Sequence, residues 1–289
     1  MSILTETEIP PLETGSGTRP NGHEPAFFRR LFGGRISRGT RPGHGSARLV
    51  PPEMTFFHVT HWKAGSQWIG GMLEQIFTPD FEPAENYEAQ VFTRPIKMGK
   101  VYRCVYVSRQ EYESFAPASS RHFVVLRDLR DTLVSYYFSI RCSHGLDVAA
   151  LAKMRMVLDS LNEENGLLYL MECSLASSAL IQRSWLEAGE RFFKFEDFLK
   201  DAAGQLQRMF HERWGLQVEQ SLIEEVAARH TFKKLSRGRQ AGEEDIHSHY
   251  RKGIAGDWRS HFTPQITARF KYLYNDLLVG AGYERDANW

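Results

Sequence analysis

Cysteine and long apolar runs are both scarce in this sequence. The chain of 289 residues has 3 cysteines, Cys104, Cys142 and Cys173, and none of them stands in C-x-x-C spacing. A scattered, odd set of thiols argues against a disulfide framework and against a zinc site. No apolar segment approaches the roughly 20 residues that cross a bilayer, and the acidic, proline-containing start does not resemble a signal peptide. These features predict a cytoplasmic protein without a metal and without a transmembrane segment.

The sequence also lacks an excess of charge of one sign. Its formal net charge is +1 at pH 7, so no overall field draws the protein to nucleic acid or to an anionic membrane. Any anion must therefore be bound by a local cluster of cations and backbone amides, and we predict no nucleic-acid partner. Hydrophobic residues make up 42% of the chain, as in a globular domain with an extensive core.

Apolar periodicity is missing from residues 1–50, which are instead rich in proline and glycine. Such a composition cannot bury enough surface to offset the entropy lost on ordering. We therefore predict a disordered N-terminal segment over residues 1–50 and one folded domain over residues 54–286.

Strand-like and helix-like segments alternate from Met54 onwards. Aromatic and β-branched residues indicate strands over 55–60, 101–107, 122–126 and 191–195. Helical patterns follow the first of these strands and occupy 132–140, 147–188 and 198–230. This alternation predicts an α/β fold with a central, mainly parallel sheet that is flanked by helices on both faces.

The turn after the first strand has the composition of an anion cradle. Gly65 permits a close backbone approach, and a helix N-terminus follows, with unpaired N–H groups and the positive end of its dipole. Lys63, Ser66 and Gln67 add further donors. The segment is not a P-loop, since G-x-x-x-x-G-K-[ST] is absent. A surface turn with a solvated lysine remains the alternative.

Two later segments have a comparable character. Arg127 leaves a strand end eight residues before Ser135, so both can hold a phosphate. Taken alone, Arg127 with Asp128 and Asp131 is more often a structural ion-pair cluster, which is the alternative. In the other segment, Arg251 and Lys252 precede glycines and a tryptophan, which suits a loop folded over an anion. An exposed basic turn is the alternative there.

The three segments, in this order, resemble the signatures of the cytosolic sulfotransferase family. Residues 60–68 resemble T-Y-P-K-S-G-T-T-W, residues 127–137 match R-[DN]-x-x-D-x-x-x-S-Y-Y, and residues 251–259 resemble R-K-G-x-x-G-D-W-K. Residues 195–198 and 231–235 resemble the family's Y-E-D-L/M and S-F-x-x-M elements. The resemblance spans roughly residues 54 to 286.

This resemblance implies a P-loop-NTPase-like sulfotransferase fold and transfer of a sulfuryl group from 3′-phosphoadenosine 5′-phosphosulfate (PAPS). The acceptor would be a hydroxyl or amine of a small molecule, and no metal would be needed. The implied catalytic residues are Lys63 and Ser135. The implied PAPS-binding residues fall into three groups: Lys63, Ala64, Gly65, Ser66 and Gln67 at the 5′-phosphosulfate, Arg127, Ser135, Arg251, Lys252 and Gly253 at the 3′-phosphate, and Trp68, Phe195, Thr231 and Phe232 around the adenine.

The sequence departs from the family where the acceptor loses its proton. The family's K-T-H histidine has no counterpart in residues 105–111. His61, beside the cradle, is our predicted substitute; Glu111, Glu113 and His144 are alternatives, as is release to solvent from an acidic acceptor. The family's dimerisation element is also altered, with Pro264 and Ala268 at two of its positions, so the oligomeric state stays open.

The acceptor itself cannot be identified from the sequence. We expect its pocket to be lined by residues 78–99, 147–170 and 240–249, where Phe81, Tyr87 and Phe92 indicate either an apolar acceptor or core packing. Two rival hypotheses are a non-catalytic module that binds an adenosine bisphosphate and a P-loop nucleotide kinase. The retained Lys63 argues against the first, and the missing Walker pattern argues against the second.

Overall fold

The computed structural model describes residues 48–84, 92, 94–145 and 149–289. Almost all of the segment predicted to be disordered lies outside these residues, so that prediction is untested. The folded part extends beyond the predicted bounds of 54–286, because Val50 is buried in the core and Trp289 packs against Phe270.

Five parallel strands form the central sheet. They are β1 (Thr55–Thr60), β2 (Phe81–Glu82), β3 (Val101–Val105), β4 (Ser120–Leu126) and β5 (Phe192–Lys194), in the spatial order β2-β3-β1-β4-β5. Every residue of the central strand β1 is buried. This explains its nearly continuous run of aromatic and β-branched residues, since a parallel strand is covered on both faces.

Helices surround the sheet. The α-helices are α1 (Ser66–Ile76), α2 (Arg109–Phe115), α3 (Leu129–Phe138), α4 (Ala149–Asp159), α5 (Glu163–Cys173), α6 (Leu175–Glu187), α7 (Phe195–Lys200), α8 (Ala202–Met209), α9 (Gln220–Arg229), α10 (Phe232–Leu235) and α11 (Pro264–Gly280). Two π-helical turns, Ser139–Ser143 and Phe210–Trp214, follow α3 and α8, and a 3₁₀ turn spans Asp257–Ser260.

Neighbouring residues of β1 pack in different hydrophobic cores. Phe56 packs with Ile69 of α1 and Trp214, whereas Phe57 and Val59 pack with Trp185 of α6. Because successive side chains of a strand point to opposite faces, helices cover both faces of the sheet. The predicted α/β architecture is confirmed.

The predicted boundaries differ from the observed ones at several strand ends. β3 ends at Val105 rather than residue 107, and Phe195, predicted as the last residue of a strand, instead begins α7. The two-residue strand β2 is too short to give a period-two pattern and was not predicted. None of the helices in the described part of the chain has the length and apolar character of a membrane span.

Strand β3 carries an irregularity close to its carboxyl end. Phe57 of β1 pairs with Tyr102, but Val59 pairs with Val105, so β3 uses one more residue than its neighbour over this interval. Within the extra length, Cys104 has φ 56°, a left-handed conformation that is uncommon for a residue other than glycine. The arrangement is a β-bulge, and such bulges change the direction of the side chains that follow them.

Candidate functional site

The first two motifs meet because they leave adjacent parallel strands at the same edge of the sheet. Thr60 of β1 pairs with Val125 of β4, and its hydroxyl donates to the Val125 carbonyl at 2.9 Å. The turn that carries Lys63 and the turn that carries Arg127 therefore begin side by side. Ligands of open α/β sheets bind at this carboxyl edge.

A cavity of about 750 Å³ opens at that edge and collects the predicted residues. Those that line it are Lys63, Gly65, Ser66, Gln67, Trp68, Arg127, Ser135, Phe195, Thr231, Phe232, Arg251, Lys252 and Gly253. Ala64 and His61 are fully buried instead. The Ala64 N–H donates to the His61 carbonyl at 3.3 Å, so this amide is engaged within the turn rather than pointing at the cavity lining.

Arg127 joins the first two segments directly. Its Nη1 donates to the Lys63 carbonyl at 2.8 Å, and its backbone N–H donates to His61 Nε2 at 3.1 Å. Its Nε is buried and has no hydrogen-bond partner among the described residues. A buried guanidinium N–H without a partner is costly, and an anion in the cavity could accept from it.

Asp131 ties the second segment to the third. Its carboxylate accepts from the Gly256 N–H at 2.6 Å and from the Trp258 N–H at 3.0 Å. Burial raises the pKa of Asp131, although Arg127 and the two amides oppose that rise. Asp131 thus holds the third segment, and Arg127 faces the cavity. Among the described residues, no ion pair joins Arg127 to Asp128 or Asp131, since Asp128 pairs with Arg130 instead.

The cations of the third segment share one buried carboxylate. Asp257 pairs with Arg251 and, at 2.6 Å, with Lys252, while Arg251 also pairs with Glu244. Burial would raise the pKa of Asp257, but hydrogen bonds from His261, Lys252 and Arg251 outweigh it and hold that pKa well below its ordinary value of 3.8. The carboxylate therefore stays ionised and fixes both cations at the cavity wall.

Two glycines bring the backbone into contact with aromatic rings. Gly65 has φ 77°, and a Cβ there would lie 2.4 Å from Phe195. Gly253 has φ 68°, and a Cβ there would lie 2.3 Å from Phe232. Both positions need glycine for conformation and for space. Trp68 lies edge-on to Phe195, and the centroids of the two rings are 5.9 Å apart. We call Trp68, Phe195 and Phe232 the aromatic wall.

The cradle contains two hydroxyl contacts that the sequence did not predict. Lys63 Nζ donates to Ser139 Oγ at 2.8 Å, and Ser66 Oγ lies 2.6 Å from Tyr106 Oη. Lys63 itself has φ 65°, a strained conformation of the kind that clusters at functional sites. Ser139 stands one turn after the predicted Ser135, and no sequence signal distinguishes the two.

The structure places His61, the predicted base for the acceptor, away from the cavity lining. The ring is fully buried, with Nδ1 3.0 Å from the Trp62 carbonyl and Nε2 accepting from Arg127. Burial is the main cause that lowers the pKa of His61 to about 4. A general base must lie within hydrogen-bond reach of the proton that it removes, and this position of the ring does not favour that role.

The three alternative bases differ in whether they line the cavity. Glu111 forms the capping box of α2 with Ser108, and Glu113 pairs with Arg109 at 2.7 Å; neither lines the cavity. His144 does line it. Its backbone N–H donates to the Ser139 carbonyl at 2.7 Å, which places it one π-helical turn beyond the serine that holds Lys63.

A second part of the cavity lining is apolar. It includes Trp62, Tyr136, Ile140, Leu151 and Met154. Of the segments expected to line an acceptor pocket, residues 147–170 and 240–249 contribute to the cavity lining. Phe81 and Phe92 instead pack in the cores, and Tyr87 lies outside the described residues.

Comparisons with known proteins agree with this geometry. A family model described as a sulfotransferase domain matches residues 112–282, more than half of the chain. Sulfotransferase 1C2 from Homo sapiens is 22% identical over 182 residues, and the same enzyme from Rattus norvegicus is 23% identical over 180 residues. Each alignment covers 58% of this chain and 57% of the relative, so the chain spans little more than half the length of the curated relatives it matches.

Among solved structures, mouse sulfotransferase SULT7A1 complexed with PAP has the same fold. Its TM-score to this chain is 0.56 at 19% sequence identity, over 82% of this chain and 93% of that one. This similarity concerns the fold, whereas the family match rests on sequence. Together with three signature segments that meet at one cavity, the match over residues 112–282 shows that the chain belongs to the sulfotransferase family.

Proposed function

We propose that this protein transfers a sulfuryl group from PAPS to a hydroxyl or amine of a small-molecule acceptor. PAPS supplies a sulfuryl group that is activated by attachment to a phosphate leaving group. The observation that carries the proposal is that Lys63 and Arg127 face the same cavity and are joined by a 2.8 Å hydrogen bond. One adenosine bisphosphate can therefore reach both.

The cations of the second and third segments suit the 3′-phosphate. Arg127 offers a buried N–H that has no partner among the described residues, and Ser135 adds a hydroxyl on the same wall. Arg251 and Lys252 line the same cavity and are held by Asp257. Charge-assisted hydrogen bonds of this kind are stronger than neutral ones, which supports tight binding of a dianion.

The cradle suits the 5′-phosphosulfate. Helix α1 begins at Ser66, so its first N–H groups lack partners within the helix and carry the positive end of its dipole. Ser66 and Gln67 add side-chain donors. Lys63, held by Ser139, would stabilise the negative charge that develops on the leaving oxygen, and it is the residue we assign to catalysis. Ser135 we assign to binding.

The aromatic wall suits the adenine. Trp68 is fixed by a hydrogen bond from its Nε1 to the His230 carbonyl at 2.7 Å, and Phe195 and Phe232 are fixed by their contacts with Gly65 and Gly253. Phe195 offers a ring without the hydroxyl of the family's tyrosine. Thr231 lines the same region as the N-cap of α10.

His144 is the residue we propose as the base for the acceptor. It lines the cavity, next to the turn that holds Lys63 through Ser139, whereas His61, Glu111 and Glu113 do not line it. The apolar lining around Ile140, Leu151 and Met154 supports an acceptor with an apolar body. Since Lys63 is retained at the cradle, we find no reason in the described residues to favour a non-catalytic binding module.

Replacement of Lys63 by alanine tests the proposal. Because the lysine acts on charge that develops during the reaction, we expect kcat to fall by about 10²-fold or more while the Kd for 3′,5′-adenosine bisphosphate rises less than about 10-fold. Radiolabelled PAPS with a panel of phenols, alcohols and amines measures transfer, and calorimetry measures binding.

A matched control is Lys97→Ala, which removes an exposed lysine that pairs with Glu82; neither residue lines the cavity. This variant should keep both values, since exposed ion pairs contribute little. Unchanged turnover in Lys63→Ala would refute the proposed function, as would a wild-type protein that does not bind the bisphosphate.

A further inference from the structure

We propose that Tyr106 binds the acceptor's hydroxyl or amine and connects it, through Ser66, to the cradle that holds the sulfuryl donor. This proposal rests on the proposed function and adds a positioning residue to it. Tyr106 lines the cavity and lies 2.6 Å from the Ser66 hydroxyl, yet it belongs to none of the three signature segments.

The bulge in β3 is the first argument. Tyr106 follows directly on the irregular part of β3, where Cys104 adopts φ 56° and three residues span the length of two in β1. Such an insertion shifts the alternation of the strand by one position, so the side chains after it face the opposite way from those of a regular strand. The left-handed Cys104 costs free energy that a regular strand would not, and strain of this kind is typical of functional sites.

The fixation of the Tyr106 ring is the second argument. The ring packs against Trp62, with ring centroids 4.8 Å apart, and its hydroxyl is bonded to Ser66. Ser66 is the first residue of α1, and Trp62 precedes Lys63. Both partners therefore belong to the cradle, so the phenol has a defined position relative to the groups that would hold the donor.

The hydrogen-bond capacity of a phenol gives the third argument. A tyrosine hydroxyl donates one hydrogen bond and accepts others. With its oxygen accepting from the Ser66 hydroxyl, Tyr106 can donate its own proton to a lone pair of the acceptor's oxygen or nitrogen, which leaves the acceptor's proton for His144. No proton is transferred along this chain, and its effect is to orient the nucleophilic atom towards the sulfuryl group.

Replacement of Tyr106 by phenylalanine isolates the hydroxyl, because the ring and its contact with Trp62 are kept. We expect kcat/KM for the acceptor to fall by about 10-fold or more, since a hydrogen bond made in a desolvated site is lost. The KM for PAPS and the Kd for the bisphosphate should change less than about 3-fold, which a general structural defect would not produce. In the Ser66→Ala background, the further loss caused by Tyr106→Phe should be much smaller.

Tyr112→Phe is the matched control, because Tyr112 forms the same kind of hydroxyl pair, with Ser120 at 3.0 Å, and does not line the cavity. It should leave kcat/KM unchanged. The role of Tyr106 is overturned if Tyr106→Phe keeps the wild-type kcat/KM. It is also overturned if Tyr106→Phe lowers kcat/KM equally in the wild-type and Ser66→Ala backgrounds. Either result leaves the proposed function intact. A wild-type protein that binds the bisphosphate but transfers sulfuryl to no acceptor overturns both.

Discussion

Gly65 links the cradle to the aromatic wall, and its replacement by alanine tests how closely the two are built together. The backbone there has φ 77°, and the added Cβ would lie 2.4 Å from Cε2 and 2.6 Å from Cδ2 of Phe195. A left-handed conformation costs a non-glycine residue about 1–2 kcal/mol. Overpacking costs about 1–3 kcal/mol more, because the ring must move. The free energy of unfolding should therefore fall by about 2–5 kcal/mol.

Gly189 separates the two contributions. It has φ 64° and nothing within 4 Å of an added Cβ, so Gly189→Ala carries the conformational cost without the collision. In urea unfolding, the free energy of unfolding of Gly65→Ala should be about 1–3 kcal/mol lower than that of Gly189→Ala. Titration with 3′,5′-adenosine bisphosphate should show at least about 10-fold weaker binding in Gly65→Ala alone, since Phe195 would leave the aromatic wall that we propose for the adenine. Equal stabilities and equal affinities in the two variants would refute the reasoning.

Two further predictions concern the acceptor and the third segment. His144→Gln should lower kcat by about 10²-fold, and the loss should be larger for alcohols than for phenols, because phenols release their proton more readily. His249 also lines the cavity, and His249→Gln is the control, which should keep the wild-type ratio of kcat between the two acceptor classes. Equal losses of kcat with both acceptor classes in His144→Gln would contradict the role of a base. Because the pKa of Asp257 is depressed in the folded protein, its contribution is present above pH 3.8 and is lost as pH falls below that value. In Asp257→Asn, the free energy of unfolding from urea titrations should therefore fall less steeply as the pH is lowered through the acid range. The variant should also bind the bisphosphate more weakly at pH 7. An unchanged acid dependence of the unfolding free energy contradicts this assignment.

The parts of the site that the sequence predicted are those that depend on local chain geometry. Lys63, Arg127 and Arg251 each stand at a strand end or in a glycine-containing loop, and the order of strands and helices brings such positions to one edge of a parallel sheet. Lys63 and Gly65 could thus be assigned from their own neighbours in the chain.

The residues that were missed or misplaced depend on contacts between distant segments. Ser139 and Tyr106 acquire their roles only when another segment folds against them, 76 and 40 positions away. The burial of His61 likewise involves a distant segment, since its Nε2 accepts a hydrogen bond from the Arg127 N–H. The bulge at Cys104 also left no pattern, because one inserted residue in a strand of five does not disturb its composition.

The hydrogen bond from Gly256 to Asp131 spans 125 positions of the chain, and it means that no fragment shorter than that interval can assemble the whole phosphate site. Under the proposed function, binding of the nucleotide would therefore require the completely folded domain, and partly unfolded chains should not bind it. By mass action, bisphosphate at 100 times its Kd would add about 2.7 kcal/mol to the unfolding free energy. The nucleotide would thus protect the protein against heat and proteolysis even when no acceptor is available.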